Sequence, residues 1–371
     1  MGHEMYMNTA IQLAKATMGQ TSPNPAVGCV LVNDGRIVGM GAHLRAGGAH
    51  AEVQALRMAG DEAKGATAYV TLEPCSHYGK TPPCAHALVE AGVRTVFVAM
   101  KDPHHVVKGK GVEHLRQAGL DVHVGLCGEE AGRLNTFFFH GLTQRLPYVT
   151  LKVAQTIDGK TSTTTGESKW ITTEEARQDV HDDRHRYDAI LVGIGTILHD
   201  DPSLTTRRPE GGLHSVRVIV DSKLSIPLEA QVVTDQQAET WIFTTAKADK
   251  EKVSALRHLG IRVFVQNTKT EIDLESLLST LYEEDIVSLY VEGGRKIHGS
   301  FLQAGLFQKL IVYTGPRLIG DIAAGSFADR GNVPEMNDSY TLSLEDVIRI
   351  GENIKATYKK KEVTSPVHWD N

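Results

Sequence analysis

The sequence has little cysteine, no long apolar run and no excess of basic residues. Only four cysteines occur in 371 residues, whereas small secreted domains that depend on disulfides are rich in cysteine. The N-terminal stretch MGHEMYMNTAIQLAK has Glu4 where a signal peptide would be basic, and no apolar signal core follows. No stretch approaches the roughly 18 apolar residues of a membrane helix. We therefore expect a soluble, cytoplasmic protein whose thiols are reduced and which has no membrane partner.

The net charge and the glycine pattern argue against a nucleic-acid-binding protein and against a Rossmann-type dinucleotide site. The net charge is −6, so the chain lacks the basic surface with which proteins usually bind nucleic acid, and we expect no nucleic-acid partner. We interpret the dense basic run Lys359–Lys361 as a solvated end. No G-x-G-x-x-G stretch occurs at any of the glycine pairs, so a dinucleotide would have to be held without the Rossmann fingerprint. The length predicts two domains at about 150 residues each.

The first 140 residues alternate between helical and strand periodicity. The stretches VGCVLVN and RIVGMGAH flank the turn 33–35 and predict a hairpin. Predicted strands in TAYVTL, TVFVAM and LDVHVGL alternate with predicted helices over 4–18, 51–59, 84–91, 111–118 and 129–140. This alternation around short apolar strands indicates a three-layer α/β/α domain.

Two of the four cysteines lie in TLEPCSHYGKTPPC, where a disulfide, a metal site and two unrelated core thiols are competing interpretations. Reduced thiols disfavour the disulfide. His50 immediately precedes a predicted helix, Cys75 follows a predicted strand, and Cys84 begins the next predicted helix. Helix N-termini stabilise thiolates, and three N/S ligands leave zinc one open position, as in catalytic sites. Zinc lowers the pKa of a bound water to about 7.

Glu52 lies two residues after His50, in the string HAE, where it can move a proton without being a metal ligand. H-x-E followed by P-C-x-x-C marks zinc nucleobase deaminases, although eight residues separate the cysteines here. Cys29 is interpreted as a buried strand residue and Cys127 as a structural thiol. Four alternatives stay open at this point: core packing of His50 and both cysteines, a structural zinc with His77 as fourth ligand, a nucleic-acid-editing deaminase, and a non-catalytic zinc-binding regulator.

The second half begins after the linker GLTQRLP and is rich in strand patterns. YVTLKVAQTIDGK predicts a strand and a turn, a charged helix is predicted over 174–187, and DAILVGIGT predicts a strand that runs into a glycine turn. Further strands are predicted in VRVIVD, TWIFTT, RVFVQN, SLYVEGG and KLIVYTG. Intervening helices indicate a mostly parallel sheet. The glycine turns at 193–196 and 293–294 suit phosphate groups, because glycine allows close approach to backbone N–H groups.

These motifs resemble those of one enzyme family over nearly the whole chain. SPNPAVGCV, HAE and EPCSHYGKTPPC resemble the deaminase domain of the bifunctional riboflavin-biosynthesis deaminase–reductases, whose long cysteine loop is typical. LKVAQTIDGK, SKWIT, GIGT, DDPSLTTR and VEGG resemble the reductase domain of the same family. The resemblance implies an α/β protein with a cytidine-deaminase-like α/β/α domain over 1–146 and a dihydrofolate-reductase-like domain over 147–371. It also implies phosphorylated pyrimidine substrates, and we expect a homo-oligomer.

The resemblance assigns cofactors and site residues. It implies Zn²⁺ on His50, Cys75 and Cys84, Glu52 as the proton shuttle of the deaminase, and NADPH in the reductase. The implied NADPH contacts are Ala154, Trp170, Thr196, Asp200 and the segment Gly294, Arg295, Lys296, Ile297, His298, Gly299 and Ser300. The implied substrate contacts are Ser168, Arg184, Leu204, Arg207 and Glu292. Lys152, Asp200 and Glu292 are three candidates for the proton donor in the reduction, and the sequence does not choose among them.

Two further expectations concern His104 and the residues that would bind the 2′-phosphate of NADPH. Where the family has Asp-Pro-Asn-Pro this chain reads Asp102-Pro103-His104-His105, and we expect His104 to donate one hydrogen bond in place of the usual asparagine. The 2′-phosphate of NADPH requires a cation or hydrogen-bond donors beside the adenine ribose. Thr244, Thr245 and Lys247 are candidates by their position after a predicted strand.

Overall fold

The computed structural model describes residues 2–76, 83–103, 109–329, 331 and 333–361. The chain divides into two compact units, the first formed by Met1–Leu146 with Glu284–Val287 and the second by Pro147–Glu283 with Ser288–Asn371. In the described ranges every helix is too short or too polar to pass through a lipid bilayer.

The first unit contains a mixed sheet of five strands in the order β2-β1-β3-β4-β5. Strand β1 is antiparallel to β2 and β3, whereas β3, β4 and β5 run parallel. The strands are β1 (Gly28–Asn33), β2 (Arg36–Ala42), β3 (Thr67–Val70), β4 (Thr95–Val98) and β5 (Asp121–Val124). The helices are α1 (His3–Lys15), α2 (Ala51–Ala59), α3 (Cys84–Glu90), α4 (Lys110–Gln117), α5 (Gly128–Leu134) and α6 (Thr136–Gln144), with a 3₁₀ turn at Gly60–Ala63.

Two glycines of β2 bring α2 unusually close to the sheet. A Cβ on Gly39 would lie 2.2 Å from the carbonyl oxygen of Ala55, and a Cβ on Gly41 would lie 2.2 Å from that of Ala51. No side chain therefore fits at either glycine. Ala51 and Ala55 are fully buried on the facing side of the helix. This close contact fixes the first turn of α2.

The second unit contains a sheet of nine strands in the order β10-β9-β8-β7-β11-β6-β12-β14-β13. Neighbours from β10 to β12 are parallel, and the last two pairs are antiparallel. The strands are β6 (Tyr148–Gln155), β7 (Ala189–Gly193), β8 (Val216–Val220), β9 (Thr240–Thr245), β10 (Arg262–Gln266), β11 (Ser288–Gly293), β12 (Lys309–Thr314), β13 (Leu342–Ile350) and β14 (Asn353–Lys360).

Helices of the second unit connect most of these parallel strands. They are α7 (Glu174–Arg186), α8 (Ile194–Asp200), α9 (Gln231–Thr234), α10 (Lys250–His258), α11 (Leu274–Glu283) and α12 (Arg295–Ala304), with a 3₁₀ turn at Met336–Asp338. Strands β7 and β11 are neighbours, and α8 and α12 begin directly after them. The carboxyl ends of parallel strands are where ligands bind in such sheets, so both helices begin beside a potential site.

The structure corrects three sequence predictions. The single helix predicted over 129–140 is two helices separated at Asn135, whose side chain bonds to the backbone N–H and carbonyl of Ala26 at 2.8 and 2.9 Å. The glycine turn after β7 is the first turn of α8. The antiparallel strands β13 and β14 were not predicted, and the interpretation of Lys359–Lys361 as a solvated end is wrong for Lys360. This residue belongs to β14, and its ammonium donates to the carbonyl of Gly305 at 2.7 Å.

Candidate active sites

One imidazole and two thiols converge in the first unit. His50 immediately precedes α2, Cys75 follows β3, and Cys84 is the first residue of α3. Nδ1 of His50 lies 3.1 Å from Sγ of Cys84 and 3.6 Å from Sγ of Cys75, and all three ligand atoms lie within 4.8 Å of one another. Neither cysteine forms a disulfide. One nitrogen and two sulfurs at these separations fit zinc, which keeps an open position in catalytic sites.

The charge state of the two thiols favours a cation. A hydrogen bond from the Cys84 thiol, reinforced by one from His50, holds the pKa of Cys75 well below the ordinary thiol value. The Cys84 backbone N–H also donates to Sγ of Cys75 at 3.3 Å. The pKa of Cys84 is raised, because its thiol donates to Cys75 and is buried. The Cys75 thiol therefore loses its proton more readily than an ordinary cysteine, and binding of a divalent cation there would favour loss of the second thiol proton as well.

Glu52 lies in the first turn of α2 and is only 3% exposed. Burial raises the pKa of its carboxyl to about 6, and the thiol of Cys84 is within hydrogen-bonding range. A carboxyl that titrates near neutrality can both accept and return a proton. The residue thus has the location and the chemistry of a proton shuttle beside the three ligand atoms.

His43 and Asn24 also belong to this site, and the sequence did not single them out. The ring of His43 meets the ring of His50 edge-on with centroids 5.4 Å apart, and its Nε2 lies 3.4 Å from Nδ2 of Asn24. The available signal was position alone, since His43 is the last residue of the predicted hairpin and Asn24 lies inside SPNPAVGCV. The expectations for His77 and His104 concern residues outside those that the structure describes.

Glu73, two residues before Cys75, holds the segment after β4 through its carboxylate. Oε2 accepts the backbone N–H groups of Asp102 and Gly109 at 3.1 and 3.0 Å. Oε1 accepts those of Gly111 and Val112 at 2.9 and 3.1 Å. One buried side chain therefore satisfies four backbone donors, including those at the start of α4.

Three predicted residues of the second unit form a buried charged cluster. Glu292 in β11 accepts two hydrogen bonds from the Arg184 guanidinium, at 2.6 Å from Nε and 2.9 Å from Nη2. Nζ of Lys152 in β6 lies 3.7 Å from the same carboxylate. Burial alone would raise the pKa of Glu292, but Arg184 and Lys152 lower it to about 2. Burial lowers the pKa of Lys152. At neutral pH Glu292 is ionised and cannot donate a proton, whereas Lys152 releases its proton more readily than an exposed lysine.

The segment between α8 and β8 lies beside this cluster. Nη1 of Arg184 donates to the carbonyl of Thr205 at 3.0 Å. Leu204, directly before it, is buried and has a left-handed backbone with φ of 52°. Arg207 is exposed, and its Nη1 donates to Oγ of Ser203 at 2.9 Å. The structure therefore brings Leu204 and Arg207 near Arg184, as a common substrate site requires.

A cavity of about 920 Å³ opens where α8 and α12 begin. Seven of the predicted NADPH contacts line it: Thr196, Asp200, Gly294, Arg295, Lys296, Ile297 and Ser300. A Cβ on Gly294 would approach Oγ1 of Thr196 to 3.8 Å, so glycine leaves this part of the cavity open. Backbone N–H groups at the start of a helix, together with cationic side chains, suit a pyrophosphate. The residues present thus fit a dinucleotide without a Rossmann fingerprint.

Ser222 and the segment 270–275, which leads into α11, also line the cavity. The sequence analysis did not single them out. The predicted 2′-phosphate contacts lie elsewhere: Thr244 and Thr245 are buried in β9, and Lys247 is exposed beyond it. None of these three lines the cavity.

Two residues of the 294–300 segment, His298 and Gly299, do not line the cavity. His298 is 4% exposed, and its ring nitrogens lie 3.2 Å from the carbonyl oxygens of Val291 and Phe327. Gly299 packs so closely on the backbone that a Cβ would lie 2.1 Å from the carbonyl oxygen of Asp329. Both residues position α12 and do not line the cavity.

The remaining predicted residues are more exposed. Trp170 is 56% exposed, and the guanidinium of Arg177 lies over its ring at 4.2 Å. Ala154 and Ser168 are half-buried. Nζ of Lys169 lies 2.9 Å from Oδ1 of Asp200. Neither Ala154, Ser168 nor Trp170 lines the cavity as the structure stands.

Comparison with known proteins connects both sites to one family. Residues 1–100 match the cytidine and deoxycytidylate deaminase zinc-binding region, and residues 147–356 match the RibD C-terminal domain. The riboflavin biosynthesis protein RibD of Bacillus amyloliquefaciens is 50% identical over 97% of this chain and 96% of its own length. RibD of Aquifex aeolicus is 44% identical over 96% of this chain and 98% of its own.

Two solved structures are similar to this chain over nearly its whole length. Acinetobacter baumannii RibD superposes with a TM-score of 0.88 at 39% identity, covering 97% of this chain and 99% of that one. The Thermotoga maritima diaminohydroxyphosphoribosylaminopyrimidine deaminase/5-amino-6-(5-phosphoribosylamino)uracil reductase gives 0.85 at 35% identity, covering 96% and 98%. These relatives are similar in both halves. The chain therefore belongs to the RibD family, the bifunctional zinc-dependent deaminases and NADPH-dependent reductases of riboflavin biosynthesis.

Proposed function

We propose that the chain carries out two consecutive steps at two separate sites. The first is hydrolytic deamination of 2,5-diamino-6-ribosylamino-4(3H)-pyrimidinone 5′-phosphate, and the second is reduction of the ribosyl group of 5-amino-6-(5-phosphoribosylamino)uracil to ribityl. We place the domain boundary between residues 146 and 147. The division of the chain into compact units at Leu146 and Pro147 supports this boundary, although the short segment Glu284–Val287 belongs to the first unit.

The proposed zinc ligands are His50, Cys75 and Cys84. The observation that carries this assignment is the convergence of their three ligand atoms within 4.8 Å. Zinc, when bound, supplies Lewis acidity and a water whose pKa is close to neutral. Three ligands from the protein leave room for that water and the substrate ring.

Glu52 is the proposed proton shuttle of the deamination. Its carboxylate takes the proton of the nucleophilic water and returns one to the ring nitrogen, and a proton then leaves with the ammonia. The residue lies in the first turn of α2, which Gly39 and Gly41 hold against the sheet. A fixed backbone keeps the carboxylate within reach of the reacting atoms, as general acid–base catalysis requires.

We assign NADPH to the cavity between α8 and α12, where it supplies the hydride. Thr196, Gly294 and Ser300 line the part formed by the two helices, and Arg295 and Lys296 provide positive charge. Trp170 and Ala154 stay candidate contacts by their motif position. Asp200 lines the cavity and pairs with Lys169, which favours an orienting role for its carboxylate.

Lys152 is the proposed proton donor of the reduction. It delivers a proton to the sugar oxygen while the ribosyl group accepts the hydride and becomes a ribityl chain. Glu292 orients Lys152 and, with Arg184, forms a fixed charged wall of the site. Lys152 is a largely buried ammonium group whose pKa is lowered by burial, whereas Glu292 is ionised at neutral pH and has no proton to donate. Ser168, Leu204 and Arg207 complete the proposed substrate site.

One assay tests the two-site proposal. Purified protein is incubated with the diaminopyrimidine phosphate, and ammonia release is followed with and without NADPH. We expect ammonia in both cases and NADPH oxidation only after deamination. Ammonia release that requires NADPH would contradict two independent sites, and NADPH oxidation without prior deamination would contradict the proposed order of the two steps.

We also propose that the chain is a cytoplasmic homo-oligomer. A reducing compartment keeps the proposed zinc-binding thiols available. Strand β13 is the last strand in its sheet, and Leu344, Val347 and Ile348 on it are 57%, 52% and 40% exposed. Long exposed apolar edge strands are normally covered by a partner. Light scattering should give a mass above one chain, and Ile348→Lys should lower it; a monomeric wild type would exclude the proposal.

A further inference from the structure

His181 lies in α7, one turn before Arg184, and belongs to none of the residue sets assigned above. Its Nδ1 accepts the backbone N–H of Arg207 at 3.3 Å. A neutral imidazole carries one proton, so this bond places the proton on Nε2 and makes Nε2 a donor. The ring therefore joins the substrate segment to α7 and presents one N–H group.

The surroundings keep this ring neutral. Burial, followed by the positive charges of Arg184 and Arg207, lowers the pKa of His181 to about 4, and the more distant charges of Glu292 and Lys152 also act on it. Within the described ranges Nε2 has no hydrogen-bond partner in the protein. A half-buried donor among the charges of the reductase site is thus available to a ligand.

Arg207 supplies the charge for an anionic ligand. Three N–H groups of the Arg184 guanidinium already donate to the Glu292 carboxylate and to the carbonyl of Thr205. In the part of the chain that the structure describes, Arg207 pairs with no carboxylate, and its Nη1 contacts the hydroxyls of Ser203 and Thr205 at 2.9 and 3.5 Å. A guanidinium beside hydroxyls and an imidazole N–H is a set that binds phosphate oxygens.

We propose that His181 binds the 5′-phosphate of the reductase substrate by donating its Nε2–H to a phosphate oxygen, next to the guanidinium of Arg207. The proposal rests on the proposed reductase function and adds a residue to its specificity. His181 acts on binding and not on hydride transfer. It should therefore affect KM for the phosphorylated substrate and leave kcat largely unchanged.

Two substitutions separate phosphate binding from support of the backbone. His181→Asn keeps an amide oxygen near the position of Nδ1, able to accept the Arg207 N–H, but removes the donor at Nε2. His181→Gln instead places an amide donor near the position of Nε2. His185→Asn is the matched control, because His185 lies one turn later in α7 and its Nδ1 accepts the N–H of Leu213 at 3.0 Å.

The measurement is steady-state NADPH oxidation with the deaminated substrate and with the same compound lacking its phosphate. A lost hydrogen bond to a charged group predicts a KM about 10- to 100-fold higher for His181→Asn with the phosphorylated substrate. KM for the dephosphorylated compound and for NADPH should stay at the wild-type value. His181→Gln should restore most of the affinity, and His185→Asn should behave as wild type.

Three results would overturn the inference: an unchanged KM for His181→Asn, an equal loss with both compounds, or a loss of the same size in His185→Asn. Ammonia release and the thermal midpoint report whether each variant is folded. Absence of NADPH oxidation in the wild-type protein would instead refute the proposed function itself, so the two failures are distinguishable.

Discussion

Replacement of Lys152 by methionine is the most informative single change in the reductase site. Methionine has nearly the length of lysine and fills the same buried space without the ammonium group. Glu292 keeps both hydrogen bonds to Arg184, at 2.6 and 2.9 Å, so the charged wall of the site stays in place. The change therefore removes the proposed proton donor and little else.

The size of the effect follows from the role. Loss of a general acid costs about 10²–10⁴-fold in rate, which corresponds to about 2.7–5.4 kcal/mol of transition-state stabilisation. We expect kcat for NADPH oxidation with deaminated substrate to fall within this range. Ammonia release should be unaffected, because the deaminase residues lie in the other unit.

Although Lys152→Met should be slower than the wild type, it should be at least as stable to heat. The pKa of Lys152 is lowered in the folded protein, because burial penalises the ammonium form. The folded state then binds fewer protons than the unfolded state at pH values between the folded pKa and the ordinary lysine value, and stability rises with pH there. Lys152→Met removes both the penalty and this rise. Its thermal midpoint at pH 7 should equal or exceed that of the wild type.

The assay is NADPH absorbance together with thermal melts from pH 7 to 10. A kcat close to that of the wild type would refute Lys152 as the donor. A large loss of kcat accompanied by a lower thermal midpoint would mean that the variant is damaged in its fold, and the rate could not then be assigned to the missing proton.

The remaining predictions concern the carboxylates of Glu52 and Glu292. Glu52→Gln is nearly isosteric and removes no zinc ligand, so ammonia release should fall by about 10²-fold or more while zinc still copurifies and NADPH oxidation persists. Glu292→Gln should destabilise the protein at pH 7 by about 3–5 kcal/mol, because Arg184 and Lys152 lose a buried partner. The folded pKa of Glu292 is lowered to about 2, so its contribution is present above the ordinary glutamate pKa and lost as the pH falls towards 2. The stability difference between wild type and variant should narrow over that window.

A specific result would contradict each of the two predictions for Glu52→Gln and Glu292→Gln. Zinc-loaded, folded Glu52→Gln that still releases ammonia at the wild-type rate would exclude the shuttle role. The acid dependence of Glu292→Gln is measured by urea titration at pH 7, 5 and 3. A difference from the wild type that stays constant with pH would mean that this carboxylate is not held ionised by its neighbours.

The fold was largely predictable because its elements follow local patterns. Helix α2 begins and ends at the predicted residues, 51 and 59, since its apolar face and its flanking residues agree. Strands β13 and β14 were missed although Ile354, Ala356 and Tyr358 alternate with polar residues in β14. In β13 a register shift between Leu344 and Asp346 interrupts such an alternation, and much of that strand is exposed. The break at Asn135 was missed because it depends on a bond to Ala26, more than a hundred residues earlier in the chain.

The site residues that lie in recognisable sequence motifs were predictable from the sequence. His50, Cys75 and Cys84 converge as their motif positions implied, and so do Arg184 and Glu292. The sequence could not reveal that Glu292 is ionised and paired with Arg184 and Lys152, because these two partners come from distant segments. Glu73 shows the same limit, since its role comes from four backbone groups brought to it by the fold.

Gly193, directly before α8, packs closely on Ile297 of α12, and this limits redesign of coenzyme preference. A Cβ on Gly193, before α8, would lie 2.7 Å from Cγ1 of Ile297 in α12. A side chain at position 193 would therefore collide with Ile297 unless that residue moved. An engineer who wants the enzyme to use a different nicotinamide coenzyme should therefore leave Gly193 and Ile297 unchanged and vary Ser222 and the segment 270–275, which also line the cavity.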